Sequence, residues 1–173
     1  MSGNNDILID IETTKGTFTL KLEKNYAPQT VENFLAYAKE GFYEETVFHR
    51  VLRGQMGIIQ GGGLTENLRP KGASHPPIQN EANNQLSNVR GTIATARTSD
   101  PHSATSQFFI NTTDNTFLDH TSETAQGWGY CVFGRVVEGM DVVDEINSVD
   151  THTVGHYADV PVEPIKITKV TVR

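Results

Sequence analysis

Apolar and polar residues alternate near the start of the chain. Ile7, Ile9 and Ile11 are interleaved with Leu8, Asp10 and Glu12, and Phe18, Leu20 and Leu22 with Thr17, Thr19 and Lys21. A period of two marks a strand, because successive side chains point to opposite faces. Lys15-Gly16 between the two runs predicts a hairpin turn. The period then lengthens: between residues 28 and 40, Val31, Phe34, Leu35 and Ala38 fall three or four apart, the stripe of an amphipathic helix. Pro28 suits the first turn of that helix, where its missing N–H is no loss, and Gly41 suits its C-terminal cap.

Short strand-like runs follow at residues 46–52, 58–61, 91–97, 106–111 and 130–136. Between residues 62 and 90 the composition turns to Gly, Pro and Asn, which predicts a long loop. A second helix is expected over 139–147, with Met140, Val143 and Ile146 inward. The last strand, 165–172, loses its apolar phase near Thr168-Lys169, the mark of a bulge. About eight short strands and two helices, without regular strand–helix alternation, point to an all-β domain: an antiparallel barrel or sandwich rather than a parallel sheet.

Length and charge narrow the function. The 173 residues fit one domain spanning 1–173, large enough to bury a core without disulfides or metals. A net charge of −7 opposes binding to nucleic acid or to an anionic membrane surface. There is no apolar run of the roughly 20 residues that a membrane span needs. Met1-Ser2-Gly3-Asn4-Asn5-Asp6 has neither the basic start nor the apolar stretch of a secretory signal. One cysteine, Cys131, forms no internal disulfide, which fits a reducing compartment. A cytoplasmic location is expected.

Conventional catalytic groupings are missing. His152 and His156 lie in what reads as a loop, a poor frame for a metal. Gly61-Gly62-Gly63 lacks the Gly-Lys-Ser/Thr of a phosphate loop. Asp100, His102 and Ser103 are a triad's residue types, but triads are not built from one turn. Cys131, between Tyr130 and Val132, reads as a small core residue. Two segments stand apart: Phe48-His49-Arg50-Val51 with Gln60-Gly61-Gly62, and Ser106-Gln107-Phe108-Phe109-Ile110-Asn111. Arg50 and Gln60 share strand parity, as do Gln107 and Phe109, so a charge, two amides and a ring can share one sheet face. Taken singly, Arg50 is a surface residue in a salt bridge, Phe109 is core, and both glutamines are solvated.

Taken together, these segments resemble the cyclophilins. Phe48-His49-Arg50-Val51, Gln60-Gly61-Gly62, Ser106-Gln107-Phe108-Phe109-Ile110, Phe117-Leu118-Asp119 and Val132-Phe133-Gly134 stand in that family's order, and Ala27-Pro28 with Val31-Glu32-Asn33-Phe34 matches its first helix. The likeness runs from about Ile9 to Val172. It implies an eight-stranded antiparallel barrel closed at its ends by two helices, and peptidyl-prolyl cis–trans isomerase activity with no cofactor. Proline-containing peptides and protein chains are the implied partners, and the protein is expected to be a monomer. By resemblance Arg50 is catalytic, and the proline ring sits on Phe109, Leu118 and either Met56 or Ile58. Phe117 and Tyr130 stand at the rim, Gln60 and the backbone of Arg97 hold substrate carbonyls, and Ala96 and Gln107 line the neighbouring groove.

The bacterial branch is the most similar. Phe117 and Tyr130 replace a tryptophan and a histidine of the better-known eukaryotic members, and the stretch 120–129 is longer than theirs. Because that tryptophan helps to bind cyclosporin, weak cyclosporin binding is expected. The segment after Arg50 departs from the family, which commonly reads Val-Ile-Pro-Gly-Phe-Met-Ile-Gln-Gly-Gly. This chain has Val51-Leu52-Arg53-Gly54-Gln55-Met56-Gly57-Ile58-Ile59-Gln60-Gly61-Gly62, two residues more. The aromatic of the proline pocket aligns with Gln55 from the left and with Gly57 from the right. A two-residue insertion preserves strand parity, so Gln60 still faces the groove, and Ile58 is a replacement for the lost apolar surface. The lost ring is expected to cost about 1–3 kcal/mol of substrate binding.

Overall fold

The computed structural model describes residues 6–173. Met1 to Asn5, on which the expected absence of a secretory signal bears, lie outside the described residues. The opening hairpin forms as the alternation predicts: β1 (Ile7–Thr13) pairs with β2 (Gly16–Leu22), and Ile9, Ile11, Phe18 and Leu20 are fully buried on one face. The helix α1 (Pro28–Lys39) starts on Pro28 and is followed by Gly41 at φ 75°, a left-handed conformation that glycine adopts without strain. Its N-terminus has no cap of its own. Glu81, from the long loop, accepts from Thr30 N (2.8 Å), Thr30 Oγ1 (2.8 Å) and Gln29 N (3.3 Å). This carboxylate satisfies orphan amides and faces the positive end of the helix dipole.

The remaining elements are β3 (Thr46–Leu52), β4 (Ile58–Thr65), β5 (Thr92–Thr95), β6 (Phe108–Asn111), β7 (Val132–Glu138), α2 (Met140–Asn147), β8 (Thr151–Val154), β9 (Tyr157–Pro161) and β10 (Ile167–Val172). Eight strands form one antiparallel sheet in the order β10-β1-β2-β7-β5-β6-β4-β3. The sheet curls until its edges meet. A bridge between Val47 and Lys166 and bonds from Phe48 N to Ile165 O (3.0 Å) and Glu45 N to Ile167 O (2.8 Å) close the seam into a nearly complete barrel. Inside it, Ile9, Ile11, Phe18, Leu20, Ile59, Ile93, Phe108, Ile110 and Phe133 form one cluster, against which α1 buries Val31 and Phe34 and α2 buries Val143 and Ile146. Met140 packs only partly buried against the same cluster.

Three expectations need correction. The stretch around His152 and His156 is not a loop: β8 and β9 form a separate hairpin turned by Gly155-His156. Its residues are mostly exposed, so no apolar alternation marks them, and the hairpin is placed by tertiary packing, with Tyr157 against His49 (ring centroids 6.1 Å). Second, β4 continues to Thr65, through glycines that composition places in the loop. Glycine there meets a packing need, since a Cβ on Gly63 would lie 2.4 Å from Gln107 Cγ. Third, β5 and β6 are shorter than their apolar runs, and β7 is shifted two residues toward the C-terminus. The predicted bulge is present: Glu12 pairs with Lys169 and Thr13 with Ile167, leaving Thr168 extra.

Candidate active site

Pairing across the sheet sets the candidate residues in a row. Arg50 on β3 pairs with Gln60 on β4, Gln60 with Phe109 on β6, Phe109 with Ala94 on β5, and Ala94 with Val132 on β7. Their chain neighbours Ile59, Phe108, Ile110 and Ile93 belong to the barrel interior, so this row lies on the opposite face. With strands about 4.8 Å apart, Arg50 and Phe109 are two strand spacings from each other. The residue types that the sequence scatters over 60 positions are thus collected in one groove on the outer wall.

Arg50 owes its aim to a bulge. Phe48 pairs with Gly61 and Arg50 with Gln60, so β3 spends two residues where β4 spends one, and His49 is the extra. His49 is buried and its Nδ1 has no partner; burial, then the neighbouring Arg50 charge, lowers its pKa to about 4. Arg50 itself is exposed. Its Nη1 donates to Gln60 Oε1 (3.3 Å), and Gln60 Nε2 donates in turn to Gln107 Oε1 (3.2 Å). Among the described residues Arg50 has no ion pair, unlike the salt-bridged surface arginine it reads as when taken singly. Gln107 and Ala96 adjoin this row, tied by Ala96 N to Gln107 O (3.1 Å), and with Gln60, Thr98, Ser103 and Thr105 they line a small cleft of about 150 Å³.

Beside the polar end is a separate apolar cluster: Ile58, Ala94, Phe109 and Val132, with Leu52, Met56, Leu86, Ala96, Leu118 and Tyr130 packed partly buried around it. Tyr130 meets Phe109 edge to face at 5.7 Å, and the Arg97 guanidinium lies 4.6 Å over the Tyr130 ring. Phe117 is 64% exposed. The altered segment resolves here. Gly57 has no room for a side chain, since a Cβ would stand 2.5 Å from Thr112 Oγ1, and Gln55 is exposed, so neither stands in for a ring. Ile58 is 1% exposed and lies beneath the pocket, leaving Met56 to present surface.

A buried polar network behind the groove carries no signal in the sequence. Asn111 Nδ2 donates to Asn88 Oδ1 (3.1 Å) and Thr92 Oγ1 (2.9 Å); Asn115 Nδ2 donates to Asn111 Oδ1 (2.8 Å) and Gly57 O (2.9 Å). Asn88 Nδ2 reaches Asp119 Oδ1 (3.0 Å) and Tyr130 O (3.2 Å). The network fixes Gly57, Leu118 and Tyr130 relative to the sheet, because Tyr130 N also donates to Leu118 O (2.9 Å). Asparagines in Asn/Thr-rich stretches look solvated, and only the fold shows Asn88, Asn111 and Asn115 at zero exposure. Ser103 and His102 are bonded within their turn and to Asn80, not to each other, and burial pushes the Cys131 thiol up to about 12.

A family model described as cyclophilin type peptidyl-prolyl cis-trans isomerase/CLD matches residues 8–172. The chain belongs to this cyclophilin family. It is 53% identical over 165 residues to peptidyl-prolyl cis-trans isomerase B of Escherichia coli (strain K12), covering 95% of this chain and 99% of that protein. It is 54% identical over 159 residues to peptidyl-prolyl cis-trans isomerase cyp18 of Streptomyces antibioticus, covering 92% and 94%. These two bacterial relatives agree with the expected branch. In fold, the cyclophilin resembles a Cryptosporidium parvum cyclophilin-type isomerase crystallised in the presence of the dipeptide Ala-Pro, with a TM-score of 0.77 at 24% identity over 96% of this chain and 98% of that one.

Proposed function

We propose that this isomerase accelerates rotation about X–Pro bonds of protein chains by aiming Arg50 at the prolyl nitrogen of a ring held beside Phe109. The observation that carries the reading is the cross-strand row, which sets an exposed guanidinium two strands from an apolar pocket. The peptide C–N bond resists rotation by roughly 18–20 kcal/mol because resonance gives it double-bond character. As the amide twists, the prolyl nitrogen regains a lone pair. A donor aimed at that nitrogen stabilises the twisted state and gains little in either planar one, which is the requirement for catalysis. No bond is made or broken, so neither nucleophile nor proton acceptor is needed. Among the described residues the Arg50 guanidinium engages one partner, Gln60, through Nη1.

The other residues follow as binding groups. Met56, Leu118 and Tyr130 enclose the ring over Phe109, with Ile58 beneath and Phe117 at the rim. Gln60 and the Arg97 backbone hold carbonyls, and Ala96 and Gln107 line the adjoining cleft. A rate gain of ~10⁵ needs about 7 kcal/mol of differential stabilisation, within reach of one charged donor in a partly dry groove plus positioning. The protein acts on unfolded or folding chains as a cytoplasmic monomer, and binds cyclosporin weakly because Phe117 offers no indole. The test is cis–trans exchange in a short X–Pro peptide, followed by NMR with the intact protein and with Arg50→Ala. Exchange is expected to fall by roughly 10²–10³ in the variant while the peptide still binds. Binding without any acceleration by the intact protein would replace this reading with that of a proline-segment binding module.

A further inference from the structure

The lengthened stretch between Leu118 and Tyr130 is exposed from Thr121 to Gln126, yet it is held from several sides. Trp128, 8% exposed, is clasped edge to face between His102 (4.9 Å) and His120 (5.0 Å). Gly129 O accepts from Arg97 Nε (2.9 Å) and Asn80 Nδ2 (3.0 Å), Ala125 O accepts from Arg97 Nη2 (3.4 Å), and Thr121 N donates to Gly127 O (2.7 Å). Arg97 is a strut: the same guanidinium that lies on the Tyr130 ring anchors the loop. A loop fixed in this way is a wall.

The wall residues Thr121, Ala125 and Gln126 line a cavity of about 570 Å³ beside the groove, together with Phe117 and Arg97. Leu118 and Tyr130 line it too, so it is continuous with the apolar cluster around Phe109. Its chemistry is legible. Phe117 is the most exposed large apolar side chain of the described residues. The two charged side chains in the lining are already engaged: Arg97 with the carbonyls of Gly129, Thr98 and Ala125, and Asp119 with Ser87 and Asn88. The free surface is thus an open ring with the neutral polar side chains of Thr98, Ser99, Thr121 and Gln126 around it, a poor site for an ion and a good one for a second ring.

We propose that this cleft is a second subsite, which takes an aromatic side chain one or two residues from the proline. The proposal rests on the reading that the groove holds proline segments. An extended chain rises about 3.3 Å per residue, so such a side chain reaches from the Phe109 pocket past Tyr130. The peptide Ala-Ala-Pro-Ala-Ala and four versions with one alanine replaced by phenylalanine are titrated by NMR, with dissociation constant and exchange rate read from the same samples. The proteins are the intact chain and Ala125→Trp, which fills the cleft from its exposed rim and keeps the Ala125 carbonyl for Arg97. At least one phenylalanine peptide is expected to bind the intact protein roughly three- to tenfold more tightly than the all-alanine one. Ala125→Trp is expected to erase that gain and leave the all-alanine peptide unchanged in both readouts. Gln126→Trp repeats the block should Ala125→Trp not fold. Equal affinity for all five peptides, or a gain that survives both folded variants, overturns the subsite. Absent exchange with the binding ratios intact overturns the isomerase reading alone, and no binding by any peptide overturns both.

Discussion

Phe108 and Phe109 are chain neighbours of equal size and nearly equal burial, 1% and 3% exposed, but they belong to different parts of the molecule. Phe108 points into the barrel, where Phe34 (5.8 Å), Tyr43 (5.5 Å) and Phe48 (6.1 Å) meet it edge to face. Phe109 points outward, into a cluster with three other buried residues ringed by partly buried ones, and its one ring partner among the described residues is Tyr130. On β3 a bulge sets buried His49 beside exposed Arg50. The two-residue period of a strand lets one element line a closed core on one face and an open groove on the other.

Exchanging the members of these pairs tests the separation. Phe108→Ala should cause the largest change, about 3–5 kcal/mol of stability by urea denaturation, since the barrel cannot collapse around the void. Phe109→Ala should cost less stability and raise the dissociation constant for an X–Pro peptide well above that of Phe108→Ala measured below its melting temperature. Equal losses of both kinds in the two variants would break the comparison. His49 comes next. Its proton affinity is depressed in the fold, so the unfolded chain binds a proton that the folded one refuses between the ordinary histidine value of 6.5 and about 4. Stability from this group is complete above that window and is lost as pH falls through it, by at most about 3 kcal/mol. The urea midpoint of the wild type should therefore fall faster than that of His49→Gln between pH 6.5 and 4.5; parallel curves would refute the assignment. The smallest effect is expected at Met56, half-exposed on a loop. Met56→Ala should change stability by no more than about 0.5 kcal/mol and weaken peptide binding a few-fold. A variant with unchanged affinity would mean that Met56 does not replace the missing ring.

Much of this organisation was legible in the chain. The alternation in β1 and β2, the helical stripe of α1 and the phase slip at Thr168 each correspond to an observed element. The site was legible in a different way. Arg50, Gln60, Gln107 and Phe109 stood out as residue types at matching parity, but parity alone did not say which strands are neighbours. The hairpin β8–β9 was missed because its residues carry no apolar period. The Asn88–Asn111–Asn115 network was missed because an asparagine looks the same in a sequence whether water or a carbonyl satisfies it.

By itself, then, the sequence determined the local periods, the turn and cap positions and the alternation that separates inner from outer residues, since these depend on neighbours within a few positions. Only the tertiary structure decided that β3, β4, β6 and β5 lie side by side, that Glu81 caps a helix 51 residues away, and that Met56 is partly exposed where Ile58 is buried. Strand order, long-range hydrogen bonds and burial depend on where distant segments meet. That is settled by the closing of the barrel as a whole, not by the preference of any one segment.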